Sequence, residues 1–249
     1  MNYTLHTWAE RSDLVGQFYE FNDTNWPQFM FHDPVMNRLW GHLQADFGAF
    51  QHVVCDSAGT VVAGGNAVPL AWDGSVDDLP ARGVGGAFER AVDGLKNGIA
   101  PNALCAVQAS VHQSQRGKQL SGFILNTMRA LAGRAGLNVL IAPVRPTLKP
   151  MYALTPMEHY VTWTNEAGLM FDPWLRTHQR LGATLLNVAR QSMTIPGSVA
   201  EWELWTGMKF PETGSYIVPG ALSPVSIDCE RDEGCYTEDN VWMRHDAVA

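Results

Sequence analysis

Apolar and polar residues follow two different periods along this chain, and the most regular stretch runs from 103 to 134. Ala103 to Val111 is an apolar run of small and β-branched side chains, which is typical of a buried strand. After a polar turn, apolar residues recur at Leu120, Ile124, Met128 and Leu131. That spacing places them on one face of a helix, so the pattern predicts strand, turn and helix in direct succession.

The same patterns predict the elements on either side of this stretch. The predicted strands cover 3–8, 50–56, 60–70 and 137–142, and the predicted helices cover 11–21, 34–47 and 86–97. No internal repeat, low-complexity segment or linker interrupts the order. We therefore expect one α/β (α+β) domain over residues 1–249.

A long departure from compact structure follows at 143–171. Four prolines, at positions 143, 146, 150 and 156, rule out a long helix. Loops of this length in compact domains are usually functional or disordered, and the aromatic residues Tyr152, Tyr160 and Trp163 argue against disorder. We therefore predict an ordered loop with a functional role.

The C-terminal third begins with a capped helix. Asp172 is a good N-cap and Pro173 suits the first helical position, so a helix is predicted to begin there. The helix is predicted to end near Gly182 and to be followed by a strand over 184–195. Residues 196–249 form an extension with a short helix at 199–206 and strands at 221–229 and 236–243. Such an extension fits either a wall of the substrate cleft or a contact in a homodimer.

Composition narrows the classes of protein. The chain has 249 residues, of which 46% are hydrophobic and 17% charged, as in a globular domain with a real core. The net charge of −8 argues against a general nucleic-acid binder. The sequence contains no signal-peptide pattern and no apolar run near the roughly 20 residues that cross a bilayer. We expect a cytoplasmic protein without a membrane partner.

The cysteines do not suggest a metal site. Cys55, Cys105, Cys229 and Cys235 contain no C-x-x-C pair, so we expect no metal. Cys229 and Cys235 flank a turn and could face each other across two strands, as free thiols in a reducing compartment. The signatures of serine hydrolases, P-loop nucleotide binders and zinc proteases are missing from the sequence.

The turn at 112–118 points to phosphate binding. It is basic and contains Gly117, and it joins a strand to the start of a helix. That geometry directs unpaired N–H groups and the positive helix end at one point, which favours an anion. An ordinary joint with a solvated basic turn is the alternative.

The same segment resembles a known family. Ser114-Gln115-Arg116-Gly117-Lys118-Gln119 is similar to the (Gln/Arg)-x-x-Gly-x-(Gly/Ala) loop that binds the pyrophosphate of coenzyme A in the GNAT acyltransferase superfamily. Gly117 matches the central glycine, whereas Ser114 and Gln119 depart from the pattern. At Gln119 a side chain stands where backbone usually approaches the phosphates.

The resemblance implies a fold and a donor. The fold would be a central twisted mixed sheet flanked by helices and splayed between strands 4 and 5. Acetyl-coenzyme A or another acyl-coenzyme A would lie in that gap, without a metal. The residues that would hold it are Val111, His112, Ser114, Gln115, Arg116, Gly117, Lys118, Gln119, Leu120 and Ser121.

A second match lies at the end of the last helix. GNAT proteins carry a pattern like Leu-Tyr-x-x-x-Gly-Phe, and residues 177–183 resemble it, with His178 in the place of the tyrosine and Ala183 in the place of the phenylalanine. The resemblance implies that His178 donates a proton to the departing thiolate, which suits an imidazole near neutral pH. The alternative is a histidine that complements the helix dipole at an exposed end.

Other candidates concern the acceptor. The resemblance implies that the 143–171 loop lies on the substrate side, near the acceptor. Glu158 and His159 in this loop are the first candidates for a general base, with Glu166 behind them. The alternative for each is a solvated loop residue. Arg145 and Lys149 fit either an acidic acceptor or the coenzyme phosphates, or they are surface charges. The aromatic side chains Trp26, Phe29, Phe31 and Trp40 fit either the core or a lid over the acceptor.

The predicted function is an acyl-coenzyme A-dependent N-acyltransferase that acts by direct transfer on a small-molecule amine. Two alternatives stay open at this point. One is a protein of the same fold that senses acyl-coenzyme A without turnover. The other is a transferase with a different donor, either an aminoacyl-tRNA or a carrier protein.

Overall fold

Nine strands build the core of the part of the protein that the structure describes. The computed structural model describes residues 3–248; Met1, Asn2 and Ala249, the ends of the predicted domain, lie outside the described residues. The strands are β1 (Thr4–Thr7), β2 (His52–Cys55), β3 (Val61–Leu70), β4 (Ala103–Val111), β5 (Val139–Val144), β6 (Thr184–Gly197), β7 (Gly214–Tyr216), β8 (Val225–Asp228) and β9 (Glu233–Asp246).

These strands form one open, mostly antiparallel sheet in the order β1-β2-β3-β4-β5-β9-β8-β7. Strand β6 pairs with β9 as well, along most of its length, so β9 lies between β6 on one edge and β5 and β8 on the other. The predicted mixed sheet flanked by helices is confirmed. The C-terminal extension contributes β7, β8 and β9 and therefore completes the sheet.

Helices cover both faces of the sheet. They are α1 (Val15–Asn22), α2 (Pro34–Leu39), α3 (His42–Ala45), α4 (Gly83–Lys96), α5 (Leu120–Arg134), α6 (Met157–Tyr160), α7 (Pro173–Arg180) and α8 (Val199–Thr206). Helices α1 to α4 pack on one face around buried Phe18 and Phe88. Helix α5 packs on the other face through Ile124 and Met128, and α7 lies beside it. None of the helices within residues 3–248 is long and apolar enough to cross a bilayer.

Local chemistry sets several helix boundaries. The carboxylate of Asp172 accepts hydrogen bonds from the first N–H groups of α7, and Pro173 occupies the first turn, as predicted. Asp33 caps α2 in the same way. The predicted helix at 34–47 is instead two short helices, since the chain turns at Trp40 and Gly41. The 143–171 loop is ordered around buried Tyr160 and contains the single-turn helix α6.

Among the described strands, the parallel pair is β4 with β5, and its pairing ends after three residues. Strand β4 pairs with β5 only at Ala103–Val139, Leu104–Leu140 and Cys105–Ile141. Val107 then bulges out of the β3–β4 ladder, because Ala106 and Gln108 pair with consecutive residues of β3. Beyond Cys105 and Ile141 the two strands no longer pair, which confirms the predicted splay between the fourth and fifth strands.

Candidate active site

A cavity of about 190 Å³ lies where the bulged part of β4 meets helices α1, α2 and α4. We call it the α1–α2 cavity. Most of its wall is aromatic or apolar, and its polar members come from α1, α2, β4 and the connection between α1 and α2. The lining side chains are Tyr19, Asn22, Asp23, Trp26, Met30, Phe31, Met36, Asn37, Trp40, Val84, Val107, Gln108 and Met193.

The aromatic alternatives left open by the sequence are thereby separated. Trp26, Phe31 and Trp40 line the α1–α2 cavity, as the lid interpretation expects. Phe29 does not, because it is buried in a separate core against Trp202. The connection between α1 and α2 therefore serves both as cavity wall and as core.

A hydrogen-bond network fixes the polar wall. Asn22, itself buried, accepts hydrogen bonds at its Oδ1 from Gln108 Nε2 at 2.9 Å and from Trp26 Nε1 at 3.2 Å. Trp40 Nε1 donates to the hydroxyl oxygen of Tyr19 at 2.9 Å. Burial raises the pKa of Tyr19, which therefore stays a neutral phenol at physiological pH.

Two acceptor groups on this wall have no protein donor. The Oε1 of Gln108 is buried and makes no hydrogen bond within the described part of the chain. The exposed carboxylate of Asp23 makes neither a hydrogen bond nor an ion pair with residues 3–248. An N–H group of a ligand would satisfy either acceptor.

Arg145 and Lys149 prove to be structural. Arg145 donates from Nε to Glu238 at 2.8 Å and from its other end to the Gly220 carbonyl at 2.7 Å, with its guanidinium 5.9 Å from the Trp26 ring. Lys149 is 2% exposed and donates to the Leu222 carbonyl at 2.6 Å. Neither is a surface charge, and neither is free to bind an acidic acceptor or a phosphate.

The loop after β4 is a short turn followed by two left-handed residues. Ser114 donates its N–H to the ring of His112, and Lys118 donates to the Gln115 side chain at 2.8 Å. Gly117 has φ 80° and Gln119 has φ 61°, the region that favours glycine. The glycine that the family pattern allows at the Gln119 position thus has a backbone explanation.

The N–H groups of this loop divide into two sets. Those of Gln115, Arg116 and Lys118 donate to carbonyls inside the loop, so they are less available than predicted. At the start of α5 no side chain caps the helix, which leaves the N–H groups of its first turn, including Leu120 and Ser121, without an intrahelical acceptor. These groups could hold an anion.

His178 lies inside the protein. It is 1% exposed, and its Nδ1 is 2.9 Å from Nε2 of His245 on β9. Burial, together with His245, lowers the pKa of His178 well below its usual range, so the ring is neutral. The interpretation of an exposed dipole partner is therefore wrong. His245 is paired with Leu140, so it lies on β9, one strand away from the gap and level with the paired end of β4 and β5.

Glu158 is placed away from the α1–α2 cavity. It forms an ion pair with Arg190 and lines a second cavity of about 610 Å³, to which β9 contributes Asp239. Side chains alternate along a strand, and Trp242 of β9 packs on the α1–α4 side, so Asp239 and the second cavity lie on the α5 side. His159 and Glu166 are exposed in the 143–171 loop.

The structure also tests the thiols. Cys235 pairs with Ser226 across β8 and β9, so Cys229 and Cys235 do not face each other as predicted. Cys105 is fully buried beside the gap, and burial raises its pKa. Within residues 3–248, no three His, Cys, Asp or Glu side chains come together as metal ligands.

The polar residues of the cavity wall were not predicted from the sequence: they are Tyr19, Asn22, Asp23, Asn37 and Gln108. One signal was available. Gln108 is a long polar side chain in the middle of an otherwise apolar strand, which is unusual unless a polar partner or ligand waits there. The polar end of α1 carried no comparable signal.

Comparison with known proteins identifies the family. No family model matches the chain. The chain is 30% identical to an arginine N-acetyltransferase, avaD, from Aspergillus versicolor, over 98% of this chain and 93% of the relative. Its fold is similar to that of the loading GNATL domain of CurA from Lyngbya majuscula, with a TM-score of 0.60 and 15% identity over 99% and 98% of the two chains. The chain therefore belongs to the GNAT superfamily and is an acyl-coenzyme A-dependent N-acyltransferase.

Proposed function

We propose that the protein transfers an acetyl group from acetyl-coenzyme A directly to the amine of a small molecule held in the α1–α2 cavity. The main support for this proposal is that the cavity is lined by Val107 and Gln108, which lie at the bulge of β4, just beyond Cys105, where pairing with β5 ends. An acceptor in the cavity and a thioester in the gap would therefore meet at the same part of β4.

The donor would lie along β4 on the side that β5 leaves open. Backbone groups beyond Cys105 have no β5 partner there, and the pantetheine amides could pair with them. At the far end of β4, the N-terminus of α5 would receive the pyrophosphate, with Arg116 and Lys118 adding positive charge. The other loop residues predicted from the resemblance would shape this site, from Val111 to Ser121.

Transfer would be direct. The neutral amine nitrogen attacks the thioester carbonyl carbon, the tetrahedral intermediate collapses, and the C–S bond breaks to release coenzyme A. The amine loses one proton and the thiolate gains one, so the step balances. A covalent route would need a thiolate nucleophile near the gap, and the buried Cys105, with its raised pKa, is a poor candidate.

Two of the predicted catalytic residues remain part of the proposal. His178, as a neutral imidazole, would donate a hydrogen bond to the leaving thiolate through the Nε2 that has no partner among the described residues, while the proton that the thiolate takes up is the one the amine releases. Glu158 could act as a base only through intervening water, since it lies on the other side of the sheet from the acceptor cavity. A homodimer remains a prediction.

The size of the cavity favours a small acceptor. About 190 Å³ accommodates an amino acid or a comparable amine, whereas a protein tail needs an open groove. The curated relative is named for arginine, so arginine is the first acceptor to test.

The proposal is tested by calorimetry with acetyl-coenzyme A and by mass spectrometry of acceptor mixtures. We expect micromolar binding of the donor and an acetylated amine product. Lys118→Gln should weaken donor binding several-fold because it removes a charge next to the phosphates, whereas Lys96→Gln, at the end of α4, should not.

Each alternative gives a different result. Donor binding without any acetylated product would indicate a sensor and overturn the proposal. No binding of coenzyme A, with transfer from a carrier protein or an aminoacyl-tRNA, would indicate a different donor. Equal weakening in Lys118→Gln and Lys96→Gln would contradict the proposed phosphate site.

A further inference from the structure

We infer that Asp23 selects an acceptor that carries a second, cationic group in addition to the amine that reacts. The inference rests on the proposed function, because it requires the acceptor to occupy the α1–α2 cavity. The cationic class includes guanidinium and ammonium compounds. Asp23 is then a specificity-determining residue and takes no part in the chemistry of transfer.

The first argument for this inference is the charge of the cavity wall. Asp23 is the only acidic side chain in the described lining, and none of the lining side chains is basic. The nearby arginines are occupied, since Arg145 binds Glu238 and Gly220 and Arg116 binds Asn25. The carboxylate is therefore available to a cation from outside the chain.

The second argument is the aromatic character of the cavity wall. The rings of Tyr19, Trp26, Phe31 and Trp40 line the same cavity as Asp23. Aromatic faces attract cations, and a planar guanidinium also stacks on them. An anion placed there would face the carboxylate and the negative ring faces, so the wall discriminates by sign of charge.

The third argument concerns the distance between the two ends of the acceptor. Asp23 follows Asn22, whose side chain is bonded to Gln108 of β4 at 2.9 Å. A molecule that reaches from Asp23 to β4 therefore spans one end of α1. With its cation at Asp23, its free amine would lie beside the Oε1 of Gln108, which lacks a hydrogen-bond donor.

Arginine and citrulline provide the direct test. They share the α-amine and the carboxylate, and only arginine carries a charged guanidinium. We expect kcat/KM of the wild-type protein to be at least about tenfold higher for arginine, as the loss of one charge-assisted hydrogen bond implies. The product should be acetylated on the α-amine, because the guanidinium stays protonated.

Substitution of the carboxylate completes the test. Asp23→Asn should lower kcat/KM for arginine and leave that for citrulline within about twofold, so that the ratio approaches one. Asp93→Asn is the matched control, because Asp93 is an exposed carboxylate on α4 outside the cavity and should leave the ratio unchanged. Thermal melting of each variant checks that it folds.

The outcomes separate the inference from the proposed function. Equal use of arginine and citrulline by the wild-type protein, or an unchanged ratio in Asp23→Asn, overturns the inference while acetyl transfer itself stands. A wild-type protein that binds acetyl-coenzyme A and acetylates no amine overturns the proposed function and the inference with it.

Discussion

The guanidinium of Arg116 donates a hydrogen bond of 2.8 Å to the Oδ1 of Asn25. The amide nitrogen of the same Asn25 donates to Ser110 at 2.8 Å and to the Val111 carbonyl at 3.2 Å. Asn25 belongs to the connection between α1 and α2, which forms part of the α1–α2 cavity. One side chain thus joins the end of β4, the loop proposed to bind the donor and the wall proposed to bind the acceptor.

Replacing Asn25 by alanine should therefore impair the use of both substrates. Loss of three hydrogen bonds, each contributing about 0.5–1.5 kcal/mol, should lower kcat/KM for acetyl-coenzyme A and for the acceptor by roughly tenfold. Steady-state kinetics with each substrate varied in turn measures this. Asn97→Ala, at the exposed end of α4, is the control. An effect on one substrate alone would contradict the joint role of Asn25.

Replacing Gln119 by glycine should stabilise the protein. Its φ of 61° strains a residue with a Cβ, and glycine adopts that conformation freely. We expect Gln119→Gly to raise the free energy of unfolding by up to about 1 kcal/mol, since relief of strain exceeds the entropy lost by glycine. Urea denaturation gives that value, and calorimetry shows whether donor binding tightens. Destabilisation would mean that the Gln119 side chain contributes more than its strain costs.

The ion pair between Arg145 and Glu238 should be essential to the stability of the fold. The Glu238 side chain is fully buried and also accepts from Tyr236 at 2.7 Å. Glu238→Ala leaves a buried guanidinium without its partner and should cost about 3–5 kcal/mol in the free energy of unfolding. The double variant Arg145→Met/Glu238→Leu should cost less, because no charge is then stranded. A double variant less stable than Glu238→Ala would contradict this reasoning.

Three buried histidines should make the protein sensitive to mild acid. Burial lowers the pKa of His52 to about 3 and that of His245 to about 4, and the pKa of His178 is also well below its usual range. The folded protein therefore keeps these rings neutral, whereas the unfolded chain takes up protons below about pH 6.5. The free energy of unfolding should therefore be unaffected by these rings above about pH 6.5 and should decrease as the pH drops from 6.5 towards 4.

Urea denaturation between pH 7.5 and 4.5 measures this dependence. The free energy of unfolding should fall on the order of 1.4 kcal/mol per pH unit for each histidine. His52→Leu should reduce the slope, since it removes one of the three rings. His159→Leu, at an exposed position in the 143–171 loop, should not. The same slope in His52→Leu and the wild-type protein would rule out this origin.

The cavity also predicts how an acceptor carboxylate is tolerated. No cation lines the described wall, so the carboxylate of arginine gains no partner there. Agmatine has the same guanidinium and a free amine and lacks the carboxylate. Its KM should be equal to or below that of arginine, by steady-state kinetics on the same protein. A markedly higher KM for agmatine would show that a donor group outside this cavity binds the carboxylate.

Local pattern alone predicted much of the fold. Three features depend only on neighbours within a few residues and could therefore be predicted from the sequence. They are the apolar run of β4, the helical spacing of α5 and the Asp172–Pro173 start of α7. The resemblance then supplied the central mixed sheet and the opening between β4 and β5, and the three-residue pairing confirms that opening.

The side-chain partners within the site depended on the tertiary structure. Sequence placed His178 at the end of α7, but its neutral charge results from burial against His245, which lies 67 residues further on. The wall of the α1–α2 cavity likewise depends on the bond between Asn22 and Gln108, 86 residues apart. Periodicity reports which face of an element is buried and not which distant side chain meets it. Strand pairing and helix packing decide that, because they bring remote parts of the chain within hydrogen-bond distance.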